Sequence, residues 1–325
     1  MRRHRVMLTA WALLILGLVI LLLAGDALVK GAVNLSLRLG VPALIVSLTI
    51  VAFGTSAPEL LIAIKAALDD APGIALGNVV GSNTANILLV LGVPALLAVM
   101  HTSECETRRT YNFMIAASLL FIALAFRGVF DWIAAVVLLG ALALVLADAF
   151  RDARAHRNEA KAGEDEDEEE PEGADPSMPG WQLGVFLVLG LIGLPVGADL
   201  LVDNAIVIAK VWGVSDTVIG LTVVAIGTSL PELATTVMAA LRRQADVALG
   251  NVIGSNMFNL LAIIGIASLV APIPVDPAFL QFDLWVMLGA SLILIPFVFL
   301  GRDLTRVWGI VLSALYVAYL TVVLI

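Results

Sequence analysis

Uninterrupted apolar runs constrain this chain more than any other feature. Stretches such as "WALLILGLVILLLAG" carry no charge and sit within longer apolar runs, and a membrane helix needs about 20 predominantly apolar residues. The runs do not alternate as the strands of a membrane β-barrel would. Ten of them are read, at about 7–35, 41–67, 74–100, 110–127, 131–150, 181–210, 214–241, 247–271, 281–300 and 303–324. With 61% hydrophobic and only 14% charged residues, the chain departs far from a soluble protein. The reading is an all-α polytopic membrane protein. The basic "MRRHR" start leads into an apolar run too long for a signal peptide, so it is read as the first span.

Two short stretches repeat. "GTSAPEL" begins at Gly54 and "GTSLPEL" at Gly227, an offset of 173. "GNVVGSNTANILLVLG" from Gly77 and "GNVIGSNMFNLLAIIG" from Gly250 share that offset, and Asp26/Asp199, Gly40/Gly213 and Thr49/Thr222 extend the register. The domains expected are residues 1–150 and 181–325, two homologous halves of five spans each. An odd number of spans makes the second half enter from the opposite side, so the repeats are expected to be inverted about an axis in the membrane plane. Residues 151–180, with "GEDEDEEEPEG", read as an acidic, disordered cytoplasmic linker. The run lacks the spaced ligands and glycine turn of an ordered calcium loop.

The formal charge of −9 is mostly this linker and says little about partners. The single Cys105 excludes an intrachain disulfide. Most basic loop residues, from Arg38, Arg108 and Arg109 through Arg151 and Arg154 to Arg242, Arg243, Arg302 and Arg306, fall on one side. That side is expected to be cytoplasmic, with both termini outside; the basic N-terminus runs against this rule.

Pro58 and Pro231 remove a backbone donor inside an apolar run, and each precedes a glutamate. Carbonyls around Gly54, Thr55, Gly227 and Thr228 are expected to leave the helix ladder. Within a bilayer such breaks survive only in packed protein or beside a wet cavity. Glu59 and Glu232 carry the functional reading, because a carboxylate at membrane depth marks an ion or proton pathway by default. Thr55, Ser56, Thr228 and Ser229 surround them with hard oxygens suited to Na⁺, Ca²⁺ or H⁺. In the second motif, Ser82 and Asn86 share a helix face, as do Ser255 and Asn259. Gly77/Gly81 and Gly250/Gly254 allow close helix approach. Asn78, Asn83, Asn251 and Asn256 are expected to brace the broken helices. A lone kink, GxxxG or serine is ordinarily structural; two glutamates in one register are not. Asp26, Lys30, Asp199 and Asp203 are read as structural, Asp26 and Lys30 being spaced for an i,i+4 ion pair.

The paired "GTSAPE"/"GTSLPE" and "GNVVGSNTAN"/"GNVIGSNMFN" stretches resemble the α-repeats of the calcium/cation antiporter superfamily, nearest its bacterial sodium/calcium exchanger branch. The resemblance covers about residues 24–92 and their counterparts. It implies a ten-helix inverted-repeat fold and Ca²⁺ held by Glu59 and Glu232 with carbonyls near Thr55 and Thr228. It further implies sodium sites formed with Ser56, Ser229, Ser82, Ser255, Asn86 and Asn259, and with the carbonyls of Ala52 and Ala225. Some relatives carry aspartate where this chain has Asn259, and the amide here speaks against potassium dependence. The expected activity is Ca²⁺/Na⁺ exchange by alternating access in a cell (inner) membrane. Ca²⁺/H⁺ exchange at the same site is the alternative, and a passive cation channel a more distant one. The expected partners are the lipid bilayer and these ions, with no cofactor and no nucleic acid. Enzyme chemistry is not expected: no histidine lies in any span to serve a serine nucleophile or a zinc ion.

Overall fold

A computed structural model describes residues 2–162, 175, 177–213 and 225–324. Helices account for nearly all of it. They are α1 (Arg2–Leu39), α2 (Ala43–Thr55), α3 (Ala57–Leu68), α4 (Pro72–Leu97), α5 (Arg108–Ala125) and α6 (Trp132–Ala162) in the first half. The second half has α7 (Gly180–Val211), α8 (Ala225–Gly227), α9 (Leu230–Leu241), α10 (Ala245–Val270), α11 (Phe279–Phe299) and α12 (Arg306–Leu324). Seven described helices are long and apolar enough to cross a membrane, and α2 with α3 makes one further broken span, bent by 45°. Of the span read at 214–241, residues 214–224 lie outside the described ones, and so does Thr222.

Burial separates two kinds of helix. In α4 and α10, 78% and 89% of the spanning window is buried, against 22% in α1 and α7. The motif helices are therefore central and α1 and α7 peripheral. The latter two nevertheless touch backbone to backbone. A Cβ on Gly17 would sit 2.7 Å from the Leu201 nitrogen, and one on Gly190 would sit 2.5 Å from the Leu28 Cβ. These two contacts are the same pair of positions, exchanged between the halves at the offset of 173. Leu21, Leu28, Leu194 and Ala198 form an apolar cluster here, with Val46, Val51 and Ala234. It is separate from the main core around α4, α5, α10 and α11.

The GxxxG expectation holds for the second half. Gly250 and Gly254 lie against α2, where a Cβ would meet Leu44 O at 2.8 Å and Leu48 O at 2.5 Å. The positions that would answer for Gly77 and Gly81, 217 and 221, lie outside the described residues.

Three features depart from the sequence reading. The acidic linker was expected from residue 151, but α6 runs on to Ala162; residues 163–174 and 176 lie outside the described ones. Asp26 does not pair with Lys30. It bonds Arg242 Nε at 2.5 Å, while Lys30 Nζ lies 5.8 Å over the Phe186 ring. Two short strand pairings join the halves: β1 (Val129–Phe130) with β2 (Ile273–Pro274), and a single bridge from Met100 to Leu304. Elements of one or two residues leave no periodicity to read.

Candidate ion site

The two breaks lie where the prolines place them. α2 ends at Thr55, Ser56 leaves helical geometry at φ −86° and ψ 6°, and α3 starts with Pro58 in its first turn. In the second half α8 ends at Gly227 and Ser229 takes φ −87° and ψ 4° before α9. Proline has no N–H, so the carbonyl of Gly54 and that of Gly227 lack their helical donor. Each glycine also receives a side chain from α7: a Cβ on Gly54 would overlap Leu191 Cδ2 at 2.1 Å, and one on Gly227 would overlap Val202 Cγ2 at 2.5 Å.

Both glutamates open their helices and are buried to 1% exposure. Ser56 Oγ donates to Glu232 Oε1 at 3.2 Å, so the first motif reaches the carboxylate of the second. Thr55 Oγ1 lies 3.2 Å from Ala52 O, 3.3 Å from Asn251 Oδ1 and 3.5 Å from Ser255 Oγ.

The asparagines divide their work. Asn78 Nδ2 donates to the Glu59 carbonyl and Asn251 Nδ2 to the Glu232 carbonyl, each at 3.4 Å. These two brace the broken helices as expected. Asn83 and Asn256 instead brace each other: Asn83 Nδ2 donates to Asn256 O at 3.1 Å, and Asn256 Nδ2 to Asn83 O at 3.4 Å. Their side-chain oxygens then accept from the next amides, Asn256 Oδ1 from Asn86 Nδ2 at 3.0 Å and Asn83 Oδ1 from Asn259 Nδ2 at 2.9 Å. The amide nitrogens of Asn86 and Asn259 thus point to the partner half, and their oxygens are left without a hydrogen-bond partner.

Five buried oxygens of the expected site residues have no hydrogen-bond partner: Glu59 Oε2, Glu232 Oε2, Asn86 Oδ1, Asn259 Oδ1 and Ser229 Oγ. A buried acceptor left unmade costs about 1–3 kcal/mol, more when charged. Four carboxylate and amide acceptors with no donor call for a partner that supplies positive charge and accepts several oxygens. A hard cation does both. Among the described residues no three His, Cys, Asp or Glu side chains cluster, so the set offers two carboxylates, amides and hydroxyls.

The other expected residues lie on the same elements. Ser82 and Ser255 are buried one turn before Asn86 and Asn259, and Thr228 stands in the turn between α8 and α9. Ala52 O accepts from the Ser56 N–H at 3.1 Å and lies 3.2 Å from the Thr55 hydroxyl oxygen. Ala225 begins α8; of its side chain nothing is described. Thr236 was not anticipated: its Oγ1 accepts from Asn251 Nδ2 at 3.1 Å. Its counterpart by register is Ala63, so the repeat carried no signal for it.

The sequence profile described as "Sodium/calcium exchanger protein" matches residues 9–150 and 183–325. The chain belongs to the sodium/calcium exchanger family. The family is one of membrane antiporters. The exchanger is 37% identical over 345 residues to the sodium/calcium exchanger MaX1 of Methanosarcina acetivorans, covering 95% of this chain and 97% of that one. It is 35% identical over 290 residues to the inner membrane protein YrbG of Escherichia coli, covering 88% of each. Its fold matches that of the sodium-calcium exchanger NCX_Mj soaked with Na⁺ and Sr²⁺, with a TM-score of 0.79 and 31% identity over 96% of this chain and 97% of that one. This exchanger is therefore a multi-pass membrane protein of the calcium/cation antiporter superfamily.

Proposed function

We propose that this exchanger moves Ca²⁺ across the membrane against Na⁺ by alternating access at one site. Glu59 and Glu232 supply its charge. The oxygens of Asn86, Asn259, Ser56, Ser229, Ser82 and Ser255, with backbone carbonyls near Thr55 and Thr228, complete it. The five unpaired buried oxygens carry this reading. Two ionised glutamates neutralise one Ca²⁺, and equally two Na⁺ or two H⁺. The ions thus compete for the same negative charge, which coupled exchange requires. A third Na⁺ would leave a net charge and make transport voltage-sensitive, by about 2.3 kcal/mol per charge per 100 mV.

The proposal includes ten spans in two inverted repeats, 1–150 and 181–325, in a cell (inner) membrane with both termini outside. The exchanged contacts of Gly17 with Leu201 and Gly190 with Leu28 support a two-fold relation, as do the reciprocal bonds of Asn83 and Asn256. In such folds a site between repeats is opened to one side and then the other by movement of one bundle against the rest.

Proteoliposomes loaded with Na⁺ and diluted into Na⁺-free buffer test the reading. Ca²⁺ uptake driven by the Na⁺ gradient is expected. Uptake driven by a pH gradient alone would replace Na⁺ with H⁺ as the counter-ion, and uptake needing no counter-ion gradient would indicate a channel.

A further inference from the structure

We infer that Thr236 is a positioning residue of the ion site: its hydroxyl fixes the Asn251 amide and, through it, the direction of the Thr55 O–H, keeping the Ala52 carbonyl open to Na⁺. This rests on the exchange reading above.

Thr236 lies on α9 one turn after Glu232 and is fully buried, as is Asn251. The Asn251 Nδ2 has two protons and two acceptors, Thr236 Oγ1 at 3.1 Å and the Glu232 carbonyl at 3.4 Å. With both protons committed, Asn251 Oδ1 faces the other way and meets Thr55 Oγ1 at 3.3 Å. Thr55 has one proton and three oxygens within reach, those of Asn251, Ala52 and Ser255. An amide oxygen held toward it draws that proton. Ala52 O then keeps a lone pair beyond the one given to the Ser56 N–H, and the Thr55 oxygen keeps its own lone pairs for a cation.

Removing the Thr236 hydroxyl leaves only the longer bond, to Glu232, to hold the amide. A turned amide presents N–H to Thr55, whose oxygen must then accept. Its O–H then turns to Ala52 O as the acceptor. Both oxygens are thereby withdrawn from the cation without any ion ligand having been mutated. In the first half Ala63 has no hydroxyl to play this part, so the relay belongs to one half alone.

The test compares wild type, Thr236→Val and Thr236→Ser in proteoliposomes, measuring the maximal rate and the half-saturation for Na⁺ and for Ca²⁺. Loss of one hydrogen bond in the relay predicts a Na⁺ half-saturation raised about fivefold in Thr236→Val. Its maximal rate and Ca²⁺ half-saturation stay within about twofold, and Thr236→Ser behaves as wild type. Thr236→Ala removes the hydroxyl without setting a methyl against the amide and carries the test if the valine variant does not fold. An unchanged Na⁺ half-saturation in the hydroxyl-free variant overturns the inference. So does a serine variant as impaired as the valine one, or a parallel loss in both ions and in rate, which would make the residue structural. Absence of Na⁺-driven uptake in wild type itself would overturn the exchange reading, and this inference with it.

Discussion

The stretches GTSAPEL and GTSLPEL differ at one residue, yet they are not folded alike. In the first, the Ser56 N–H reaches back four residues to Ala52 O, α2 continues to Thr55, and the Ser56 hydroxyl bonds Glu232. In the second, the Ser229 N–H reaches back only three residues, to Ile226 O, α8 stops at Gly227, and the Ser229 hydroxyl has no partner. The single alanine-to-leucine difference, Ala57 against Leu230, falls after the serine and does not explain this. One described difference lies beside the glutamates. Thr236 tightens Asn251 beside Glu232, where Ala63 offers nothing to Asn78. Proline and glycine permit a break, and the neighbours choose its form.

Neutralising either glutamate tests whether the halves remain equal in function despite that difference. Glu59→Gln and Glu232→Gln are each expected to lower Ca²⁺ uptake by more than about a hundredfold, since an intramembrane carboxylate of this kind is functional by default. Retained uptake in one of them would make the halves unequal in charge as well as in geometry. Gly254→Ala attacks the packing of α10 on the first break. The added methyl meets Leu48 O and the Ala52 Cβ at 2.5 and 2.6 Å, both on backbone or its first carbon, so the thermal midpoint in detergent should fall by the equivalent of about 1–3 kcal/mol.

The serines sharpen the comparison further. Ser56→Ala strips a donor from a buried carboxylate oxygen and is expected to cost about 1–2 kcal/mol in thermal unfolding without added ions. Ser229→Ala removes a hydroxyl that bonds nothing and should cost less; equal losses would erase the distinction. Outside the site, Asp131 caps α6 by accepting from the Ile133 and Ala134 N–H groups at 3.1 and 3.0 Å. Asp131→Ala should lower the thermal midpoint slightly and leave ion exchange unchanged, the smallest effect of the set.

Much of the candidate site was legible because it is duplicated. Glu59 and Glu232 stand out as charges in apolar runs, and the 173-residue register separates them from incidental polar residues. The asparagine network was half legible. The spacing of Asn78 and Asn251 placed them beside the breaks, but only coordinates reveal that Asn83 and Asn256 cross between the halves. Two kinds of feature left no trace. Short strand pairings such as Val129–Pro274 have no period to detect. Unduplicated residues such as Thr236, or Arg242 opposite Asp26, gain their meaning from a partner far along the chain. The register that exposed the glutamates therefore hid the residues that break the symmetry.

Equilibrium Ca²⁺ binding to the purified exchanger, titrated with Na⁺, tests most directly whether two glutamates form one shared site. The account predicts that Ca²⁺ binds in proportion to one ion per chain, that Na⁺ displaces it, and that Glu59→Gln and Glu232→Gln each abolish binding. Ca²⁺ binding that survives in either variant, or that Na⁺ leaves untouched, would contradict it.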